Sequence, residues 1–122
     1  MNKKYALFVG RYQMPHKGHR YLFETKINQG IPVLVAVRDV PTDEKNPFTA
    51  EEVVQMLNKE FFDHLSNGMM KIIIIPDIMA ICYGREVGYS IEHIEAPEEI
   101  KAISATELRK EAGLWNARYL RR

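Results

Sequence analysis

The sequence predicts a single α/β domain with a mainly parallel sheet. Two observations carry this prediction: short apolar runs rich in β-branched residues alternate with longer segments of helical periodicity, and turn residues separate them. The chain has 122 residues, of which 46% are hydrophobic and 27% charged, and this fits one globular domain spanning residues 1–122. Right-handed crossovers between parallel strands would place helices on both faces of the sheet.

The first two predicted strands are apolar runs that end or begin at turn residues. The first run, residues 5–9, ends at Gly10. The second run, residues 31–37, begins after Gly30, which ends the preceding predicted helix. Between these runs, residues 16 to about 29 have a helical pattern. The order strand, helix, strand is that of the first half of a parallel α/β sheet.

The second predicted helix has the clearest signal in the sequence. Thr49 and Glu52 form a capping box at its start, and the run 66–68, Ser-Asn-Gly, ends it. Its apolar face recurs at helical spacing and consists of Ala50, Val53, Val54, Leu57, Phe61 and Leu65. Residues 72–75 then form a third strand, closed by Pro76.

The last third of the chain has weaker signals. Residues 89–94 alternate between apolar and polar side chains, so we expect a fourth strand there. Ser104 and Glu107 form a second capping box, which predicts a helix to about Gly113. Residues 114–122 are expected to form a docked turn or helix.

Composition excludes several functional classes. The single cysteine, Cys82, excludes a disulfide framework and a multi-cysteine zinc site. No apolar run approaches the roughly 20 residues of a membrane span or forms a secretory signal core, so we expect a cytoplasmic protein without a membrane partner. The net charge of +1 gives no bulk field toward nucleic acid. Both ends of the chain are basic, which fits either convergence on an anion or solvated surface charge.

The loop after the first strand carries the candidate site. His16 and His19 stand three residues apart at a predicted helix start, so both imidazoles can face one ligand. Gly18 would let a ligand approach the backbone, and a helix N-terminus offers N–H groups to an anion. A metal pair is the alternative, but a closed zinc site needs four ligands and the chain adds only His64 and His93 as nitrogen donors. We therefore predict no metal site; incidental helix-start residues remain the other interpretation.

Two motifs of the chain resemble the signatures of a known superfamily. Residues 10–19, GRYQMPHKGH, resemble the H-x-G-H signature of the nucleotidyltransferases that include adenylyl- and cytidylyltransferases. Residues 103–109, ISATELR, resemble their second signature, I-S-x-T/S-x-x-R, and follow in the right order. The resemblance implies a Rossmann-like three-layer sandwich and an enzyme that moves a nucleoside monophosphate from a triphosphate to an acceptor, releasing pyrophosphate.

The same resemblance implies roles for individual residues. His16 would contact the phosphates, His19 would donate to the α-phosphate in the transition state, and Arg109 would hold the pyrophosphate. Lys17 would reach the phosphates or turn to solvent. The further nucleotide-binding candidates are Gly10, Arg11, Tyr12, Gln13, Gly18, Arg85, Ser104 and Thr106. Arg38 and Lys45, in the loop after the second strand, are phosphate or acceptor candidates, although loop solubility explains them equally well.

The choice of nucleotide and acceptor is left open by a mixed pattern. The first motif resembles that of archaeal-type nicotinamide mononucleotide adenylyltransferases, whereas the length resembles that of glycerol-phosphate-type cytidylyltransferases. We therefore favour ATP slightly over CTP, with a small phosphate- or phosphonate-bearing acceptor. Mg²⁺ is expected to arrive with the triphosphate. The resemblance also suggests a homodimer, and a non-catalytic nucleotide-binding regulatory module remains the alternative from another class.

Overall fold

The computed structural model describes residues 3–85 and 88–101, and in them three parallel strands form one open sheet. The strands lie in the order β1 (Ala6–Gly10), β2 (Val33–Asp39), β3 (Met70–Pro76). The helices are α1 (Lys17–Ile27), α2 (Ala50–Glu60), α3 (Phe62–Ser66) and α4 (Glu98–Lys101). The predicted α/β class with a parallel sheet is confirmed. No helix in these described ranges is long and apolar enough to cross a membrane.

The core lies between the central strand and the helices that follow β1 and β2. Val33, Val35 and Val37 of β2 are fully buried and share one face of the sheet. On that face the ring of Phe23 in α1 packs edge-on against Phe8 of β1, 5.2 Å between centroids, and against Phe61, also at 5.2 Å. Helices α1 and α2 therefore cover the same face of the described sheet.

The predicted start and stop signals have the expected geometry. The Glu52 N–H donates to the Thr49 hydroxyl oxygen at 3.2 Å, and the Thr49 N–H donates to the Glu52 carboxylate at 2.9 Å. This reciprocal pair is the predicted capping box. Gly30 and Gly68 have φ values of +79° and +78°, which side chains rarely adopt, so glycine is required where α1 and α3 end.

One predicted helix is divided in the structure. The apolar face from Ala50 to Leu65 predicted a continuous helix, but the chain leaves helical geometry at Phe61, with φ −111° and ψ 27°. The Phe61 ring is fully buried against Phe23, and the Arg20 guanidinium lies 4.7 Å from its centroid. Burial of this ring accompanies the turn, and the short helix α3 continues beyond it.

The predicted fourth strand is wrong. Residues 89–94 form no strand, and Tyr89 and Ile91 expose 58% and 68% of their surface. The segment is instead tied to α1 by an ion pair of 2.6 Å between Lys26 and Glu92. A segment of alternating apolar and polar residues forms a strand only where the edge of a sheet pairs with its backbone hydrogen-bonding groups. The described sheet does not pair with residues 89–94. The predicted helix from Ser104 lies outside the described residues.

The two adjacent phenylalanines provide a matched test of this core. Phe61 is fully buried and Phe62 is 71% exposed. We expect Phe61→Ala to lower the free energy of unfolding by about 3–5 kcal/mol, because it removes apolar burial and leaves a cavity. Phe62→Ala should change it by no more than about 0.5 kcal/mol. Chemical denaturation measures both, and equal effects would contradict the described packing.

Candidate active site

The loop from β1 to α1 is folded back onto the end of its strand. Tyr12 has a φ of +49°, unusual for a residue with a side chain, and is 8% exposed. Its ring covers Gly10 so closely that a Cβ on Gly10 would lie 3.0 Å from the Tyr12 Cζ. The ring also contacts His19 and Phe23, with centroids 5.0 and 5.8 Å away. Gly10 thus makes room for Tyr12, and burial raises the pKa of the Tyr12 hydroxyl.

The two motif histidines cap helix α1 reciprocally. The Gly18 N–H donates to Nδ1 of His16 at 2.9 Å, and the His16 N–H donates to Nδ1 of His19 at 3.1 Å. The imidazoles are stacked, with centroids 4.0 Å apart and planes inclined by 26°. This is the geometry of a capping box, with two imidazoles in place of the usual hydroxyl and carboxylate. The helix start therefore fixes both rings.

The caps determine where each neutral imidazole carries its proton. Because each Nδ1 accepts a backbone hydrogen bond, the ring proton lies on Nε2. Burial lowers the pKa of His16 below its ordinary value of 6.5. Burial, and then the neighbouring His16, lowers the pKa of His19 to about 3. At neutral pH the pair can therefore offer two neutral Nε2–H donors to an anion.

Gly18 has a structural role that the sequence did not indicate. A Cβ at this position would lie 2.7 Å from Cε1 and 2.9 Å from Nδ1 of His16. The glycine therefore makes room for the capping imidazole. Its N–H, expected to be open to an anion, is donated to His16. Lys17, which directly precedes Gly18, is exposed.

Gln13 joins this loop to the segment that precedes α2. Its side-chain N–H donates to the Phe48 carbonyl and its side-chain oxygen accepts from the Phe48 N–H, both at 2.9 Å. Gln13 is 7% exposed and Phe48 is 2% exposed. The sequence suggested a nucleotide contact for Gln13, and it held no local signal of a partner 35 residues away.

Charged side chains gather where β2 and β3 end. The Arg38 guanidinium binds Asp77 through Nε at 2.9 Å and Nη2 at 2.6 Å, and these bonds hold the pKa of Asp77 below its ordinary value. Hydrogen bonds from Asn46 lower the pKa of Asp43, and the charge of the exposed Arg11 adds to the lowering at both Asp43 and Asp77. Arg38 is thus engaged by a carboxylate. The candidates Lys45 and Arg85 lie on exposed segments.

The chain approaches the first motif shortly before the second motif begins. Helix α4 packs beside α1, and Ile100 Cγ2 lies 3.7 Å from the position of a Cβ on Gly18. Ser104, Thr106 and Arg109 lie outside the described residues. The sequence alone did not predict α4 or its contact with α1.

A cluster of side chains of the types that can ligate a metal lies between α1 and α3, and it forms an ion-pair network. Oxygen and nitrogen atoms of Glu24, Asp63 and His64 lie within 4.8 Å of one another. The Arg20 guanidinium binds Glu24 at 3.0 Å and Asp63 at 3.2 Å, so a cation already balances these carboxylates. His64 Nε2 lies 2.7 Å from the Glu24 carboxylate. The network fastens α1 to the start of α3.

Comparison with known proteins gives two partial matches. The chain is 34% identical to a nicotinamide-nucleotide adenylyltransferase of Pyrococcus horikoshii over 75 residues, which cover 60% of this chain and 40% of that protein. It is 33% identical over 78 residues to the nicotinamide-nucleotide adenylyltransferase of Thermococcus kodakarensis, covering 62% and 42%. The chain thus spans about two fifths of the length of these relatives. No solved structure matches it significantly.

Fold and site first define a class: a Rossmann-like α/β domain whose opening strand leads into a pair of imidazole donors. The chain belongs to the cytidylyltransferase-like family, whose model matches residues 7–71. The matched range contains the first motif with both histidines, and this confirms the resemblance to the nucleotidyltransferase superfamily. The second motif lies beyond the matched range.

The low pKa of His19 predicts a loss of stability in mild acid. Folded His19 stays neutral down to about pH 3, whereas the unfolded chain takes up this proton below the ordinary value of 6.5. The unfolded state therefore binds more protons as pH falls through this window. We expect the His19 linkage to cost about 2 kcal/mol between pH 7.5 and pH 5.

Denaturation curves at the two pH values measure this loss. His19→Gln, which cannot titrate, should remove most of it. His93→Gln is the control because the His93 side chain is 83% exposed. The same pH dependence in wild type and His19→Gln would show that His19 titrates normally.

Proposed function

We propose that this domain is a nucleotidyltransferase that moves a nucleoside monophosphate from a triphosphate, ATP in preference to CTP, to a small phosphate- or phosphonate-bearing acceptor. The observation that carries the proposal is the stacked pair His16 and His19, whose Nδ1 atoms are tied to backbone N–H groups. Two Nε2–H donors with fixed rings suit the recognition of phosphate oxygens. Membership of the cytidylyltransferase-like family supports the same chemistry.

The reaction needs little acid–base chemistry from the protein. An acceptor phosphate oxygen is already ionised at neutral pH, so it can attack the α-phosphate without a general base. A bond forms from that oxygen to the α-phosphorus, and the bond to the β-phosphate bridging oxygen breaks, releasing pyrophosphate. Catalysis then consists of alignment and of donors placed where negative charge grows.

His19 is proposed as the donor to the α-phosphate and His16 as a contact to the bound phosphates. Burial of His19 against Tyr12 and Phe23 holds its ring in one orientation. A preorganised neutral donor needs no rearrangement when charge develops on the α-phosphate. Lys17, exposed beside the pair, is proposed to add positive charge at the phosphates.

The second motif is proposed to complete the site from the other side. Lys101, the last described residue, precedes Ser104 by three residues, which is at most about 11 Å of chain. Because Ile100 lies against Gly18, a connection of this length would allow Ser104 to reach the phosphates proposed at His16 and His19. Ser104 and Thr106 would then donate to the β- and γ-phosphates, and Arg109 would hold the pyrophosphate.

Mg²⁺ fits this site as a companion of the nucleotide. The ion prefers oxygen ligands, whereas the motif offers imidazole N–H groups, and Arg38 occupies the nearby carboxylate of Asp77. The triphosphate oxygens and water are therefore proposed to hold Mg²⁺, which would neutralise part of the phosphate charge. The residues of this chain would bind and orient the phosphates.

Replacement of His19 tests the proposed donor. We expect His19→Ala to lower kcat by on the order of 10²–10³, because one transition-state hydrogen bond is lost. KM for the triphosphate should change much less. His19→Gln should recover part of kcat, since its side-chain N–H can take the place of Nε2–H. Pyrophosphate release measures both constants.

His93→Ala should leave both constants unchanged, because the His93 side chain is 83% exposed. Equal losses of nucleotide affinity and turnover in His19→Ala would make His19 a simple binding residue. Absence of pyrophosphate release with every triphosphate and acceptor, together with tight nucleotide binding, would favour the regulatory module.

The preferred nucleotide is tested by direct titration. We expect isothermal titration with ATP–Mg²⁺ to give at least about tenfold tighter binding than CTP–Mg²⁺, since unpaired groups in a base pocket reject the wrong base. Nicotinamide mononucleotide should be the first acceptor tested, because both relatives are named nicotinamide-nucleotide adenylyltransferases. Tighter binding of CTP would overturn the adenylyl assignment and leave the transfer chemistry in place.

A further inference from the structure

We infer that Gln13 is a positioning residue, whose side-chain amide locks the loop that carries the two histidines onto the segment leading into α2. The inference rests on the proposed function, since it assigns the purpose of the lock to phosphate alignment. It departs from the sequence-based expectation that Gln13 contacts the nucleotide.

We call the two hydrogen bonds between the Gln13 amide and the Phe48 backbone the Gln13 lock. They resemble the reciprocal hydrogen bonds between two paired peptide groups. The Gln13 amide donates to the carbonyl and accepts from the N–H of the same residue, Phe48, with both distances 2.9 Å. Both residues are more than nine-tenths buried, so water cannot readily replace these bonds. Removal of the amide would leave two buried polar groups of Phe48 without these partners, and such groups are costly.

From Gln13 the contacts continue to the histidines. Its neighbour Tyr12 has the positive φ of +49° and is packed against His19 and Phe23. His19 in turn accepts the His16 N–H and stacks on the His16 ring. A residue held at an unfavourable φ keeps it only where its surroundings fix it. The Gln13 lock and the Tyr12 ring together supply that constraint.

The other end of the lock is equally well anchored. Phe48 belongs to the hydrophobic core and directly precedes Thr49, whose hydroxyl caps α2. The loop that carries the histidines is therefore held in a fixed position relative to α2 and the sheet, and also relative to α1. A displacement of about 1 Å in a reacting group can cost 10²-fold in rate, so this fixed position affects turnover.

The decisive variant is Gln13→Leu, which keeps the size of the side chain and removes both hydrogen bonds. We expect kcat to fall by about 10- to 10²-fold, with KM for ATP–Mg²⁺ changed by less than about threefold because the nucleotide contacts remain. In the ligand-free protein, imidazole ¹⁵N spectra should show pure Nε2–H tautomers of His16 and His19 in wild type and averaged tautomers in the variant.

Two further variants keep the test decisive. Gln55→Leu makes the same substitution at an exposed position of α2 and should leave spectra and kinetics unchanged. Gln13→Asn keeps the amide on a side chain that is one methylene group shorter, so it weakens both hydrogen bonds without burying a charge, and its effects should be intermediate. It replaces Gln13→Leu if that variant does not fold, as judged by circular dichroism.

Two results would overturn the inference. One is Gln13→Leu with unchanged tautomers and at least tenfold weaker ATP–Mg²⁺ binding, which would make Gln13 a nucleotide contact. The other is no change in either spectra or kinetics. Failure of the proposed function is distinguishable, because a wild type without transfer activity still shows through its ¹⁵N spectra whether Gln13 holds the histidines.

Discussion

The reciprocal cap at the start of α1 is the constraint on which the candidate site depends. A helix start leaves backbone N–H groups without intrahelical partners, and in this chain the imidazole of His16 satisfies the N–H of Gly18. His19 closes the cap by accepting the His16 N–H. One local need of the backbone thus fixes two side chains and selects their tautomers. The position of the His16 ring in this cap leaves no room for a Cβ at position 18.

The core beneath this cap connects it to β1 and to the end of α2. Phe23, fully buried, packs between Phe8 of β1 and Phe61 at the end of α2. Tyr12 of the loop after β1 packs against the same Phe23 ring, so this loop contributes to the core. Loops over a sheet are usually exposed and mobile. Here the loop is held by aromatic packing on one side and by the Gln13–Phe48 hydrogen bonds on the other.

The electrostatics of the site follow from burial. Imidazoles that meet an anion are often assumed to be cationic, but burial lowers the pKa of both His16 and His19. Positive charge comes instead from exposed side chains such as Lys17 and Arg11. Neutral, rigid donors stabilise developing charge without having to change protonation state, whereas mobile cations attract the anion from a distance. In the proposed function, the two tasks would be divided between two kinds of side chain.

The sequence by itself determined the parallel strands, the start of α1 at His16, the Thr49–Glu52 capping box and the glycine stops, because each is set by local periodicity or by one turn of backbone. It also gave the two motifs, and the family match covers the first of them. Only the tertiary structure decided that Gly18 makes room for an imidazole and that Gln13 binds Phe48. It also decided that residues 89–94 pair with no strand of the described sheet and that the long helix turns at Phe61. These features depend on partners far along the chain or on the volume left by neighbouring rings. Local residue spacing predicts neither the distant partners nor the available volume.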